Sequence, residues 1–171
     1  VDSLQAFIHG SAGKVVYTSN GGQTWVNRSI PSISAFVYDM DVKGNGNVET
    51  QVVSTSLNTT SIYLTTNSGV SWVLTYSVPQ LNFFGTTIVV QAHGTFVGGG
   101  GLGFPAEIHF RKGGTSGFIK VYEDRTASNI LITCKWSFSD GRVVYAGAGD
   151  FVNYYPPTTP VIVDTLYEAF R

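Results

Sequence analysis

Carboxylate side chains are the first candidates for chemistry in this sequence. Asp39 and Asp41 alternate ahead of a glycine-rich turn, as oxygen ligands do in a calcium-binding loop, but Lys43 stands where a further oxygen is needed. Glu107 or Glu123 with an aspartate could supply the carboxylate pair of a glycosidase, although nothing in their spacing singles them out. We therefore expect Asp39 and Asp41 to lie at a strand end that runs into a turn, and we predict no metal site.

Other motifs with chemical potential are weaker. Gly98–Gly103 has the spacing Gly-x-Gly-x-x-Gly, but a dinucleotide site also needs a helix directly afterwards, and the following residues favour a strand. The three histidines and Cys134 show no metal-ligand spacing, and no Gly-x-Ser-x-Gly motif is present. The sequence therefore predicts no catalytic residue and no cofactor.

The composition limits the class of protein. The chain has 171 residues, a net charge of −1, 12% charged residues and 43% hydrophobic residues. A chain of this length can bury a core without disulfides, and its low charge with high apolar content excludes general disorder. No basic surface for nucleic acid is indicated, and no apolar run approaches the ~20 residues of a membrane-spanning helix. We therefore expect neither nucleic-acid binding nor membrane insertion.

Short β-rich runs recur along the chain with turn residues between them, and they predict about fifteen strands. Only Asp164–Phe170 could form a helical turn. The clearest signal is a repeat, because Lys14–Val26 aligns with Ser61–Val73, which begins 47 residues later. Weaker copies begin at Glu107 and Phe151. A period of about 45 residues with about four strands per unit is typical of a β-propeller blade.

The two clear repeats resemble the Asp-box, also called the BNR repeat, with the pattern Ser/Thr-x-Asp-x-Gly-x-Thr/Ser-Trp. The matching residues are Thr18, Asn20, Gly22, Thr24 and Trp25 in the first copy and Thr65, Asn67, Gly69, Ser71 and Trp72 in the second. Both copies carry Asn where the family has Asp, and the third copy lacks the Trp. The family includes sialidases, sortilin-like receptors, some glycoside hydrolases and a photosystem assembly factor. The resemblance implies a β-propeller with such a hairpin in its blades.

The residue types of the repeat explain what it does. Asn-Gly-Gly and Asn-Ser-Gly supply residues that tolerate positive φ, as a tight hairpin needs. The Asn side chain can bond N–H groups of its own turn almost as well as Asp, and the hydroxyl of Thr24 or Ser71 can bond back to that turn. We expect Trp25 and Trp72 to be buried between blades. The ten repeat residues are therefore predicted to stabilise the fold and not to form an active site.

These patterns predict an all-β, propeller-like domain over residues 1–171, with about four blades of four antiparallel strands. The approximate blades are 1–31, 32–79, 80–125 and 126–171. The alternatives are an arc of a larger propeller and a β-sandwich. Propellers close by sharing strands between their first and last blades, and the first blade here lacks its first strand. Closure within the chain and closure between chains are both open.

Two further features concern the surface. Asn27 and Asn58 each begin an Asn-x-Ser/Thr sequence, the acceptor for N-glycosylation. A proline-rich stretch near the C-terminus, Pro156–Pro160, cannot pair as a central strand, and Val161–Arg171 beyond it is predicted to be either an edge strand or an arm that docks on a neighbouring subunit by strand addition. The candidate partner contacts in this arm are Tyr154, Tyr155, Val161 and Val163.

The leading functional hypothesis is a non-catalytic protein-interaction or structural assembly subunit that binds other protein subunits, including copies of itself. Low charge, many uncharged polar residues and the two glycosylation sequences favour an extracellular location or a particle surface. A carbohydrate-binding propeller is the first alternative, because aromatic residues at the tops of blades could stack on sugars. The second is a fragment of a sialidase-type or other glycoside hydrolase. The sialidase Arg-Ile-Pro signature is absent, since Arg28-Ser-Ile-Pro31 carries an extra residue, and we predict no enzyme activity.

Overall fold

Strands are the regular secondary structure of the described chain. The computed structural model describes residues 4–31, 33–43, 49–55, 59–79, 85–91, 94–101, 104–124, 131–137 and 143–148. Across these ranges there are thirteen strands and no helix. The described ranges accordingly contain no helix with the length and apolarity needed to cross a membrane.

The chain divides into two compact units, Val1–Gln80 and Leu81–Arg171. The first unit contains two antiparallel sheets, with strand orders β1-β2-β3 and β4-β5-β6-β7. In both sheets, strands that are consecutive in the chain are neighbours. The strands are β1 (Ala6–His9), β2 (Val15–Thr18), β3 (Val26–Asn27), β4 (Phe36–Lys43), β5 (Glu49–Thr55), β6 (Thr59–Thr65) and β7 (Val73–Pro79).

The second unit continues the same pattern of consecutive pairing. Its sheets have the orders β11-β10-β9-β8 and β12-β13, and all their pairs are antiparallel. The strands are β8 (Gly85–Gln91), β9 (Gly94–Gly101), β10 (Phe104–Lys112), β11 (Ile119–Asp124), β12 (Leu131–Ser137) and β13 (Val143–Ala148). The strand β10 follows Gly98–Gly103, where a dinucleotide site would have required a helix.

Each sheet is a meander, the arrangement that a propeller repeats from blade to blade. The four sheets begin at Ala6, Phe36, Gly85 and Leu131, and each lies inside one of the four predicted blade ranges. The prediction of an all-β, propeller-like fold is confirmed. The number of blades stays a prediction. The strands and the helical turn predicted beyond residue 148 lie outside the described residues.

The core of the first unit forms around the buried face of β2. Val15 and Tyr17 alternate onto that face, as strand geometry requires, and Val15 clusters with Ile30 and Val37. Tyr17 is paired across the sheet with Phe7, and their ring centroids lie 4.8 Å apart. The hydroxyl of Tyr17 keeps a polar partner because it donates to Gln5 Oε1 at 2.8 Å. Burial of these apolar side chains stabilises the first unit.

The core of the second unit is built on its two central strands. Phe96 of β9 and Phe110 of β10 are direct cross-strand partners, with ring centroids 4.5 Å apart. Ile88, Val97 and Ile108 are fully buried beside them. The chain turns from β8 into β9 at Gly94, which is paired with Lys112. A side chain at this position would have no room, because it would overlap the Arg111 carbonyl oxygen and the Phe110 ring.

Substitution of Gly94 tests this packing. Gly94→Ala should lower the free energy of unfolding by about 1–3 kcal/mol, because a methyl group forced into a packed core displaces backbone and ring atoms. Gly117→Ala is the matched control, since no atom lies within 4 Å of a Cβ built there. Urea denaturation measures both variants. Equal stability of the two variants would contradict the described packing at Gly94.

Candidate functional site

The first repeat loop, Thr18–Trp25, is closed by its own side chains. Asn20 Oδ1 accepts hydrogen bonds from Thr18 Oγ1 at 2.9 Å and from the Thr24 N–H at 3.0 Å. Asn20 Nδ2 donates to Thr24 Oγ1 at 2.9 Å, and the Gly22 N–H donates to Thr18 Oγ1 at 3.0 Å. Four short bonds among its own eight residues therefore close the loop.

The second loop, Thr65–Trp72, repeats this network. Asn67 Oδ1 accepts from Thr65 Oγ1 at 2.9 Å and from the Ser71 N–H at 3.0 Å, and Asn67 Nδ2 donates to Ser71 Oγ at 2.9 Å. The Gly69 N–H donates to Thr65 Oγ1 at 2.9 Å. The backbone also matches, because Gly21 and Gly22 have φ of 67° and 88° while Ser68 and Gly69 have 56° and 79°. The 47-residue sequence repeat is therefore also a structural repeat.

The third copy closes its turn differently. In the alignment that begins at Glu107, the Asn position falls on Gly113, which has no side chain, and Thr115 instead donates its hydroxyl and its N–H to the Lys112 carbonyl oxygen at 2.8 and 3.1 Å. Phe118 stands at the Trp position, with the Arg111 guanidinium 4.9 Å from its ring centroid. Burial lowers the pKa of Arg111. Because Phe118 replaces the Trp, this loop has no indole that could donate a hydrogen bond to a neighbouring sheet.

Trp72 joins the second sheet to the first. Its indole Nε1 donates to the Arg28 carbonyl oxygen at 2.7 Å, and its ring packs against the cluster of Val15, Ile30 and Val37. Gly69 lies under the same ring, and a Cβ built there would be only 2.9 Å from Arg28 Cβ. The loop, the indole and the absence of a side chain at residue 69 together make a close contact between the two sheets.

Trp25 has the same loop but a different environment. It is 42% exposed, and in the described part of the chain its indole makes no hydrogen bond. The nearest atoms to a Cβ built on Gly22 all belong to Trp25 of the same loop. The nearest atom to a Cβ built on the equivalent Gly69 belongs to Arg28, which lies outside the second loop. The expectation that both tryptophans are buried is therefore wrong for Trp25. Sequence equivalence specifies the loop, but burial also requires a second sheet in front of it.

An apolar surface surrounds Trp25 on one side of the first sheet. Val16 of β2 is paired with Ile8 of β1 and with Asn27 of β3. Trp25 lies two residues before Asn27, so the alternation of an extended chain places its side chain on the same side of the sheet. Leu4 lies beside the loop, because its carbonyl oxygen accepts from the Gly21 N–H at 2.7 Å. Leu4 and Ile8 are each 55% exposed. We call this surface the Trp25 face and define it by Leu4, Ile8, Val16 and Trp25.

Two residues on the same side of the second sheet are partly buried. Tyr63 follows Val16 by 47 residues and Trp72 follows Trp25 by the same interval. Tyr63 and Trp72 both pack against the cluster of Val15, Ile30 and Val37, which joins β2 of the first sheet to β4 of the second. Val16 and Trp25 are therefore the counterparts of two residues that pack against this shared core in the second repeat.

The two glutamates considered for glycoside chemistry form an ionic cluster in the second unit. Glu107 and Glu123 are paired across β10 and β11, and Lys120 donates to Glu107 Oε1 at 3.0 Å and to Glu123 Oε2 at 2.7 Å. With its proton on Nε2, His109 donates to Glu107 Oε2 at 2.7 Å. Glu107 is only 5% exposed, and these partners offset the cost of burying its charge. Both oxygens of Glu107 are thus engaged with side chains of its own sheet.

The remaining candidate residues are placed as follows. Asp39 and Asp41 lie in β4, and the glycine-rich turn after them is outside the described residues. Asn27 is exposed at the end of β3, and its Oδ1 accepts from Ser29 N–H at 2.9 Å and from Ser29 Oγ at 2.6 Å. The other candidates lie outside the described residues: Asn58, Tyr154, Tyr155, Val161 and Val163.

Comparisons with known proteins add little to this geometry. No protein-family model matches the chain, and no curated protein matches it. A solved structure described as "YCF48 bound to D1 peptide" is 14% identical, with a TM-score of 0.46 over 85% of this chain and 60% of that chain. A second, "AtxE2 Isopeptidase - S527A Variant with Astexin3-dC4 Bound", is 11% identical, with a TM-score of 0.49 over 94% of this chain and 26% of that chain. The chain thus spans less than two thirds of either protein, and likenesses of this size carry no information on ligands.

The loop network predicts how Asn67 responds to substitution. Asn67→Leu should lower the free energy of unfolding by about 1–3 kcal/mol, because the Thr65 hydroxyl and the Ser71 N–H lose their acceptor. Asn67→Asp should stay within about 0.5 kcal/mol of the wild type, because a carboxylate accepts the same bonds and one from the Ser71 hydroxyl. Urea denaturation at neutral pH distinguishes the two, and a large loss in both variants would contradict the proposed network.

The two tryptophans should respond unequally to the same change. Trp72→Phe removes the bond to the Arg28 carbonyl oxygen and should cost about 1–2 kcal/mol of stability. Trp25→Phe should cost less than about 0.5 kcal/mol, because the side chain is exposed and makes no such bond. Thermal denaturation of both variants is the measurement, and similar losses would show that the two environments do not differ as described.

The ionic cluster predicts a pH dependence. Hydrogen bonds to Glu123 and then to Glu107 raise the pKa of Lys120 above its ordinary value of 10.5. A raised pKa means that the stabilisation is fully present below the unfolded-state pKa and is lost as the pH rises through the higher folded-state pKa. Lys120→Met should therefore be less stable than the wild type at pH 8, and the difference should shrink above about pH 10.5. Lys112→Met, at the exposed end of β10, is the control and should match the wild type at pH 8.

Proposed function

We propose that the chain is a non-catalytic protein-interaction module built on Asp-box repeats, in an extracellular location or on the surface of a particle. One observation carries this proposal: the Trp25 face is exposed, whereas Tyr63 and Trp72, the counterparts of Val16 and Trp25, are partly buried against the cluster of Val15, Ile30 and Val37. An exposed group of large apolar side chains that is buried in an equivalent repeat is typical of a protein-binding surface. Tryptophan is also the residue type that most often dominates the energy of such surfaces.

Several features support a non-catalytic role. The polar side chains of the two loops bond to one another, and Glu107 is engaged by Lys120 and His109. A general acid or base must instead reach a proton of the substrate.

Capture from a lysate of the source cells tests the proposal. The immobilised wild-type chain should retain a defined set of proteins, and the double variant Ile8→Ser/Trp25→Ser should lose them. Ile119→Ser is the matched control, because Ile119 is 57% exposed but lies in the second unit and outside the Trp25 face. Equal retention by all three proteins would remove the Trp25 face from the proposal. Hydrolysis of a glycoside by the purified chain would contradict the non-catalytic role.

A carbohydrate-binding function is the second candidate, and one observation favours it. Phe36 and Tyr38 lie two residues apart on the edge strand β4, are both exposed and have ring centroids 6.0 Å apart. Such a pair presents aromatic surface on which a sugar could stack. A glycan array with the wild type and Tyr38→Ala tests this reading. The second candidate requires a glycan that binds the wild type and Ile8→Ser/Trp25→Ser but does not bind Tyr38→Ala.

A further inference from the structure

Asn27 lies on the same side of the first sheet as the Trp25 face. It is paired with Val16, and directly paired residues of neighbouring antiparallel strands have their side chains on one side of the sheet. Asn27 is exposed, and its strand β3 is an edge strand of that sheet in the described chain. A group attached to the Asn27 side chain would therefore extend into solvent beside Trp25.

The side-chain amide of Asn27 has an available nitrogen. Its Oδ1 accepts from the Ser29 N–H at 2.9 Å and from the Ser29 hydroxyl at 2.6 Å, so the oxygen is the atom turned toward Ser29. Its Nδ2 makes no hydrogen bond to any residue that the structure describes. The Nδ2 atoms of Asn20 and Asn67, in contrast, each donate to a hydroxyl of their own loop. Asn27 thus presents a free amide nitrogen within Asn-Arg-Ser, an acceptor sequence for an N-linked oligosaccharide.

The equivalent position in the second repeat shows that this site has room for a bulky group. Leu74 follows Asn27 by 47 residues and is paired with Tyr63, as Asn27 is paired with Val16. Leu74 is 51% exposed, although Tyr63 and Trp72 on the same side of the sheet are partly buried. An oligosaccharide at this strand position therefore would not have to displace the core.

We propose that Asn27 is an N-glycosylation site, and that its oligosaccharide covers the edge of the Trp25 face and restricts the access of protein partners. This inference rests on the extracellular location in the proposed function, because N-linked oligosaccharides are added in the secretory pathway. An N-linked oligosaccharide is a bulky and solubilising surface group, so it would cover apolar side chains that otherwise face water.

The modification is a group transfer in which one bond forms and one breaks. The donor is an oligosaccharide joined through N-acetylglucosamine to a lipid diphosphate. Asn27 Nδ2 bonds to the anomeric carbon of that sugar as the bond from this carbon to the diphosphate oxygen breaks. The lipid diphosphate leaves with the electron pair, and the nitrogen loses one proton. The step therefore needs no oxidant or reductant.

Secretion of the full chain from cultured animal cells tests the modification. Every protein carries Asn58→Gln, which leaves Asn27 as the one acceptor sequence in the chain. This protein should lose mass on treatment with peptide N-glycosidase, which should leave Asp in place of Asn27 in the peptide mass spectrum. Asn27→Gln should show no loss of mass. Ser29→Thr is the matched control and should show the loss, because it keeps the hydroxyl and the acceptor sequence.

Quenching of tryptophan fluorescence by acrylamide tests the coverage of the Trp25 face. The glycosylated protein should be quenched less than Asn27→Gln, because the oligosaccharide shields the exposed indole of Trp25. The difference should disappear when both proteins also carry Trp25→Phe. Circular dichroism must show that all four proteins are folded. Equal quenching with and without the oligosaccharide would overturn the proposed coverage.

The outcomes separate this inference from the function on which it rests. An Asn27 that is never glycosylated overturns the inference, while capture of proteins through the Trp25 face would keep the proposed function. A glycosylated Asn27 that shields Trp25, in a chain that captures nothing with or without the oligosaccharide, keeps the modification site and contradicts the interaction function. The glycosylated protein should capture less than Asn27→Gln, and equal capture by the two would overturn the restriction of access.

Discussion

The hydrogen bond from the Trp72 indole to the Arg28 carbonyl oxygen is the contact on which the first unit depends. It is made at 2.7 Å beside the apolar cluster of Val15, Ile30 and Val37, where water competes weakly for either atom. Three conditions must hold for it to form. Asn67 must close its loop so that the indole is held in position, Gly69 must have no side chain, and Arg28 must present its carbonyl oxygen. The polar loop and the apolar core are therefore parts of one contact.

The second unit reaches a buried core by different means. It has no Asn-based loop among its described residues, and its third repeat closes on the Lys112 carbonyl oxygen. Its central strands are instead held by the Phe96–Phe110 pair and by a close approach of the chain at Gly94. A cross-strand cluster of four ionisable groups lies along β10 and β11, in a chain with few charges overall. The two units thus share a meander topology but not the interactions that stabilise it.

The sequence predicts local features of this protein well because their causes are local. Alternating apolar residues and turn signals indicate the strands, and the side chains of Asn20 and Asn67 make the turn bonds that their type and spacing predict. Features that depend on the pairing register between two strands cannot be predicted in this way. Lys120 lies opposite His109 because β11 contains an irregularity, and no periodicity in the sequence encodes that shift. The ionic cluster could not be found without the structure.

Burial of the two tryptophans shows the same limit at longer range. Trp25 and Trp72 occupy equivalent positions in loops that match the same motif and make the same hydrogen bonds. Their environments differ because a sheet lies in front of Trp72, and that neighbour is a property of the position of the repeat in the series. A repeat motif predicts what a segment can bind but not whether its partner is present. Sequence reasoning therefore identified Trp25 without identifying the exposed surface around it.

The acceptor at the contact between the first two sheets is a backbone atom, and this bears on how such a chain can evolve. Every residue presents the same backbone carbonyl oxygen, so the side chain at position 28 can change without removing the acceptor. The donor loop makes its bonds within eight residues, so a duplicated segment would carry the whole loop with it. Repeats that arise by such duplication can diverge at almost every other position while their sheets still pack against one another. A lineage of such repeats can therefore lengthen by duplication while its sequences become hard to recognise.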